Sequence, residues 1–250
     1  MAVKIYIIES LGANDRLTGK EIYEDLLRWE SERNYDIYTS FENVTSKEKF
    51  ISHTNKIFLD LNKDDEVIFQ LEMHGDGDKS GIFLSNGELI LWKELLPIFS
   101  NVKSKCNVFH LFMATCFGNY VGKLLLNGNF PFDSFTGTEF EISENQIIED
   151  YSQIYSYFFQ EKDLYKAIEK IESLGIYAQV KTKDSQTLIG VVLNHTLETF
   201  GNLLSLEELS LLITKLFGID FGRKITNPHQ NITNHKFYEI ITDFFQKNVK

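Results

Sequence analysis

Apolar residues in this chain fall into short unbroken runs separated by stretches of helical period, the pattern of strands buried on both faces between covering helices. Lys4-Ile-Tyr-Ile-Ile reads as a first buried strand. Thr18-Gly-Lys-Glu21 then has the form of a capping box and opens an amphipathic helix over 18–33. Asp36-Ile-Tyr-Thr-Ser-Phe-Glu reads as a second strand, and Thr45-Ser-Lys-Glu48 repeats the capping signal before a helix reaching Leu61. Two further apolar strands, Val67-Ile-Phe-Gln-Leu-Glu-Met and Val108-Phe-His-Leu-Phe-Met-Ala-Thr, run into His74-Gly75 and Cys116-Phe-Gly118.

Between them, Asn86-Gly87 separates Gly81-Ile-Phe-Leu-Ser from Glu88-Leu-Ile-Leu-Trp, a hairpin signal because Asn-Gly tolerates positive φ. A short helix over 93–99 follows. Beyond Cys116 the pattern predicts a helix over 119–126, a strand over 133–143, and a long helical stretch capped by Ser143 and interrupted near 160–163. Strands over 176–180 and 187–193 come next, and the remainder is helical, with starts at Ser205 and Asn234. Fold class is therefore α/β, a mostly parallel sheet flanked by helices with a helical C-terminal extension. The expected organisation is one domain over 1–195 with 196–250 packed on it.

Composition narrows the partners. A formal charge of −11 disfavours a phosphate backbone, whose binding relies on Lys and Arg, and favours basic peptides. No apolar run approaches the roughly 18 residues of a membrane helix, and Met1-Ala-Val-Lys-Ile reads as a strand start rather than a signal peptide. The expectation is a cytoplasmic protein that contacts neither nucleic acid nor membrane. Its two cysteines, Cys106 and Cys116, bracket one strand and are poorly placed for a mutual disulfide.

Ligands of open parallel sheets bind beyond the carboxyl ends of the strands. If their strands are neighbours, His74 and Cys116 meet there as a thiol and a base, which a cysteine needs because a free thiol of pKa ~8.5 is mostly protonated at neutral pH. Cys106 has no such context, and His110, inside the apolar strand, is expected to pack.

A strand ending in His-Gly followed by one ending in a small residue and Cys resembles the caspase-like peptidases of clan CD. Ala114-Thr-Cys-Phe-Gly118 parallels the caspase signature Q-A-C-[RQG]-G, with His74 lying 42 residues upstream (116 minus 74). The layout is closest to bacterial CHAT domains, which place a hairpin and a short helix between the two residues and then a strand ending in Gly-x-x-Trp-x-Val-x-Asp. Gly137-Thr-Glu-Phe-Glu-Ile-Ser-Glu144 is similar to that element, with Phe140 for the tryptophan and Glu144 for the aspartate. The resemblance spans 4–193 and departs at Ala114 and Thr115, so aspartate specificity is not implied.

The resemblance implies a cysteine endopeptidase. Cys116 would be the nucleophile and His74 the group that protonates the leaving amine, and the backbone N–H groups of Gly75 and Cys116 would form the oxyanion hole. No metal or organic cofactor is needed. Glu139 and Glu141, on one face of the expected strand, and Asp76 and Asp78, in the loop after His74, are the candidate contacts for a substrate with Arg or Lys before the scissile bond. Family members commonly require activation, so an activating protein or ligand is expected, ordering loop 76–80 and region 127–132. Bacterial relatives often act in regulated self-destruction or antiphage defence. Two other readings compete: a metal-dependent hydrolase using His74, Asp76 and Asp78, and a catalytically inactive caspase-like scaffold.

Overall fold

A computed structural model describes residues 2–127, 131–176 and 178–185. The chain divides into two compact units, Met1–Leu124 with Phe130–Asp184, and Leu125–Asn129 with Ser185–Lys250; the sheet and the site lie in the first. The expected strand over 187–193, the helical extension with its starts at Ser205 and Asn234, and the boundary at 195/196 fall outside the described residues.

The fold is α/β, with a mostly parallel mixed sheet flanked by helices. Strands β1 (Val3–Ser10), β2 (Ile37–Asn43), β3 (Glu66–Gly75), β6 (Val108–Ala114) and β7 (Ser134–Gly137) lie in the order β2-β1-β3-β6-β7, all parallel. An antiparallel edge strand, β8 (Lys181–Asp184), pairs with β7, and the hairpin β4 (Gly81–Phe83) and β5 (Leu89–Leu91) branches from the end of β3. Because side chains alternate along a strand, the central strands β1, β3 and β6 each have two buried faces. Ile5, Ile7, Ile68, Phe112 and Ala114 pack in one core with α1 (Thr18–Ile22), α5 (Glu144–Glu161) and α6 (Leu164–Ser173). On the other face an aromatic chain runs Tyr6, Phe69, Phe109, Phe99, Phe132, Phe135, each ring within about 6 Å of the next and mostly edge to face, the geometry that ring quadrupoles favour.

Several elements differ from the sequence pattern. The helix over 18–33 forms as α1, a π-helical turn (Tyr23–Leu27) and α2 (Arg28–Arg33), without the capping box: Leu17 occupies the cap position, Thr18 gives its hydroxyl to Glu72, and Glu21 pairs with Arg16. For α3 (Lys47–Asp60) the cap is Ser46 rather than Thr45. The short helix over 93–99 is α4 (Trp92–Lys105), which passes through Pro97 because Leu95, Phe99 and Val102 continue its buried face. The segment over 119–126 is a 3₁₀ helix, Gly118–Asn127.

The strand over 133–143 stops at Gly137, since Thr138 and Phe140 turn their carbonyls to the N–H groups of Asn119 and Phe117 (both 3.0 Å). Of the expected strand over 176–180, Gln179 and Val180 lie outside the sheet: Asp150 Oδ2 on α5 accepts from their N–H groups (2.8 and 3.0 Å), so those donors are not available to a strand partner. Ser143 caps α5 as expected, and the helical stretch breaks at Lys162 (φ 53°) before Asp163 caps α6.

Candidate active site at the strand ends

Strands β3 and β6 are direct neighbours, paired from Glu66↔Val108 to Glu72↔Ala114. Continued by two residues, that register sets His74 opposite Cys116. Both have the parity of Ile68, Phe112 and Ala114, and so belong to the face covered by α1 and α5. The strand ends approach closely. A Cβ on Gly75 would lie 1.9 Å from the Cys116 carbonyl oxygen and 3.0 Å from Thr115 Oγ1. Glycine is thus needed at 75 to admit the backbone of Cys116. Gly118 has the same character: a Cβ there would meet Met113 Cβ at 2.7 Å.

His74 is 59% exposed and its Nε2 lies 2.9 Å from Asp15 Oδ2. Asp15 sits in loop 11–17 between β1 and α1, where its Oδ2 also accepts from the Gly12 N–H (2.7 Å) and its own N–H donates to the Gly12 carbonyl (3.1 Å). These bonds, led by the one from His74, hold the Asp15 carboxyl below the usual carboxylate range. The next residue anchors the loop. Arg16 grips Glu21 with two guanidinium nitrogens (2.8 and 2.6 Å), donates from Nη1 to Asn145 (2.5 Å), and gives its backbone N–H to Glu144 (3.2 Å). Asp15 was not legible in the sequence, where it is one polar residue in Gly-Ala-Asn-Asp-Arg, 59 positions from His74. The one signal that pointed there is topological: this loop joins the carboxyl end of the strand beside β3 to the helix on the His74 face.

Cys116 is half-buried, and its sulfur lies 3.5 Å from the Ile142 backbone nitrogen and 3.9 Å from the Ile142 carbonyl. Phe117 adopts φ 59°, a left-handed conformation that a bulky side chain enters only under tertiary constraint. Here the constraint is the strip 138–142, bonded to Phe117 and Asn119 and running past the thiol.

That strip carries the two candidate specificity residues. Glu139 and Glu141 do not share a strand face, since the strand has ended, yet both line one cavity of about 390 Å³ with Asn119, Phe140, Gln179 and Lys181. Glu139 is bound to Lys183 (2.6 Å). Glu141 has no ion pair among the described residues. Neither His74 nor Cys116 lines the cavity itself; the strip, whose Ile142 backbone contacts the Cys116 sulfur, joins the thiol to it.

Asp76 and Asp78 do not converge with His74. The Asp76 carboxylate turns into its own loop, accepting from the Ser80 hydroxyl and from the N–H groups of Asp78 (3.2 Å) and Ser80 (3.3 Å), bonds that keep its carboxyl below the usual range. Trp92 Nε1 donates to the Lys79 carbonyl (3.0 Å), and the Lys79 ammonium lies over the Phe117 and Tyr120 rings. Loop 76–80 is therefore tied at several points, and Asp76 organises it rather than facing a ligand. Among the described residues no group of three His, Cys, Asp or Glu side chains is placed to hold a metal ion.

Directly beneath His74 lies a pair of buried acids. Glu9 and Glu72 are register partners on β1 and β3, and neither is exposed. Glu72 accepts from Thr18 Oγ1 (2.6 Å) and from Gln70 Nε2, while Glu9 Oε1 accepts from the Gly19 N–H (2.9 Å). Burial pushes the Glu72 carboxyl up to about 8 and the Glu9 carboxyl up to about 7.

Cys106 and His110 are structural. Cys106 is buried, donates to the Val102 carbonyl (3.3 Å), and is pushed up to about 11 by burial. His110 is fixed by Ser134 Oγ (2.6 Å) and Glu66 (3.4 Å). His195, His229 and His235 lie outside the described residues. No helix among the described residues is long and apolar enough to cross a membrane. Neither a protein-family model nor a curated protein sequence matches the chain.

Proposed function

We propose that the protein is a cysteine endopeptidase of caspase-like type, with Cys116 as nucleophile and His74 as acid–base. The observation that supports this reading is the parallel pairing of β3 and β6, whose carboxyl ends, side by side, lead into an exposed imidazole and a half-buried thiol. In the proposed reaction the Cys116 proton passes to His74 and the sulfur attacks the peptide carbonyl carbon. A C–S bond forms, and the carbonyl π pair moves to oxygen, which the Gly75 and Cys116 N–H groups would receive. As the C–N bond breaks, His74 returns the proton to the leaving amine. Water then hydrolyses the thioester, its hydroxyl going to the acyl carbon and its proton, through His74, to the Cys116 sulfur.

The preferred substrate in this reading carries Arg or Lys before the scissile bond, because Glu141 lines the adjoining cavity with no ion pair among the described residues while Glu139 is held by Lys183. An activating protein or ligand, a cytoplasmic location and a role in defence or regulated cell death belong to this proposal through the resemblance alone.

The test is cleavage of a proteome-derived peptide library by the wild-type chain and by Cys116→Ala, with iodoacetamide and EDTA as inhibitors. The reading expects cleavage that iodoacetamide and the substitution abolish and EDTA spares. Loss to EDTA alone would select metal-dependent hydrolysis. Absence of turnover, together with no labelling of Cys116 by a peptidyl chloromethyl ketone, would select the inactive scaffold.

A further inference from the structure

We infer that Asp15 is a positioning residue for His74, extending the pair Cys116–His74 to a third member held on the loop after β1. This inference rests on the reading just given of His74 as the acid–base. The bond from His74 Nε2 to Asp15 Oδ2 is 2.9 Å, and a carboxylate can only accept, so Nε2 carries the proton and the neutral ring is the Nε2–H tautomer. Nδ1, which makes no hydrogen bond among the described residues, is then the basic nitrogen. One ring nitrogen is committed to orientation, and the other is left to move a proton.

Three further features set this apart from an ordinary surface ion pair. Exposed pairs contribute little to stability and are held in no fixed geometry. Asp15 is held: the same oxygen that meets His74 accepts from the Gly12 N–H at 2.7 Å, and the carboxylate occupies the space a Cβ at Gly12 would need, 2.9 Å from Oδ2. Arg16 then fastens the loop on two sides, to Glu21 on α1 and to Glu144 and Asn145 at the start of α5. Finally, α5 follows directly on the strip whose Ile142 backbone contacts the Cys116 sulfur. The imidazole and the sulfur are thus steadied by neighbouring parts of one hydrogen-bonded frame, which is the preorganisation that acid–base catalysis requires.

The experiment compares wild type with Asp15→Asn and Asp15→Ala, each confirmed as folded by circular dichroism. Long-range ¹H–¹⁵N spectra of His74 are recorded at a pH where the ring is neutral, and kcat and KM are measured separately on a cleaved peptide. The wild type is expected to show one Nε2–H tautomer. Asp15→Ala should show a mixture, with kcat reduced about tenfold to a hundredfold and KM within twofold. Asp15→Asn should retain the tautomer and recover part of kcat, because the Gly12 N–H selects the amide oxygen for the position that meets Nε2. A His74 tautomer ratio unchanged in Asp15→Ala overturns the proposal, whatever the activity. The spectra need no turnover, so a failure of the peptidase reading is seen separately, as full activity in Cys116→Ala or none in wild type. An unfolded Asp15→Ala leaves the decision to Asp15→Ser, where a His74 tautomer ratio unchanged from wild type would overturn the proposal.

Discussion

At the amino ends of the central strands, Cys106, His110 and Glu66 are buried, and each is paired within the fold. At the carboxyl ends the same residue types recur as Cys116, His74 and Asp15, all of them reachable from solvent. Burial separates the two sets. Cys106 hands its proton to a helix carbonyl, and forming a thiolate there would place an uncompensated charge in the core; His110 spends both ring nitrogens on neighbours and has none left for a substrate. At the opposite end one imidazole nitrogen is fixed and the other is open, and the thiol lies against backbone at the edge of the sheet. If the proposed function holds, reactivity in this fold depends less on which residues are present than on which end of a parallel strand holds them.

The largest expected effect is on turnover. Cys116→Ala and His74→Ala should each lower peptide hydrolysis by at least about a hundredfold with the fold intact, whereas Cys106→Ser should stay within about twofold. Equal losses in Cys106→Ser and Cys116→Ala would erase the contrast between the two ends. Alkylation reads the same contrast without a substrate. With its thiol pushed up to about 11, Cys106 is thiolate at only about one part in a thousand at pH 8, so iodoacetamide should label Cys116 about a hundredfold faster in the folded chain. Peptide mapping by mass spectrometry measures both rates, and labelling of Cys106 as fast as Cys116 before unfolding would refute the assignment.

Gly75→Ala should destabilise the protein by about 1–3 kcal/mol, seen as a lower midpoint in urea, because the added methyl must displace the Cys116 backbone. The loss should persist in a Cys116→Ala background, since the obstructing atom is the carbonyl oxygen rather than the sulfur. The smallest effect concerns the two glutamates. If Glu141 receives a basic side chain, Glu141→Gln should raise KM for arginyl peptides about tenfold, and Glu139→Gln, already paired with Lys183, should change it less than threefold. Equal effects of the two substitutions, or a wild-type preference for Asp peptides, would reject the basic pocket.

The elements that carry His74 and Cys116 were legible because they follow one simple rule: a strand buried on both faces is an apolar run, and β3 and β6 are such runs, each leading into one of these residues. The errors share a cause as well. Residues 138–142 alternate polar and apolar as a strand would, and residues 176–180 are apolar and β-prone. The first segment, and Gln179 and Val180 of the second, lie outside the sheet because their backbone groups find partners distant in sequence, Phe117 and Asn119 for one and Asp150 for the other. The capping pattern at Thr18 formed no box because Thr18 turns its hydroxyl to Glu72 on β3, while the Thr18 and Glu21 N–H groups bond to the Arg16 and Leu17 carbonyls. Asp15 could not be found from spacing, since its role is set by the crossover from β1 to α1 rather than by any motif around it.

The buried carboxyls beneath His74 give folding a proton stoichiometry. In the unfolded chain Glu9 and Glu72 titrate near 4.5; in the native state they titrate near 7 and 8, so the native state binds more protons throughout that interval. Folding at neutral pH should therefore take up on the order of one proton from solution, and the heat of unfolding should vary with the ionisation enthalpy of the buffer. The stability associated with these groups is complete below the unfolded values and is lost as pH rises through 7 to 8. These two residues of the sheet interior should therefore make the fold more stable at mildly acid than at mildly alkaline pH, independently of the reaction proposed at the strand ends.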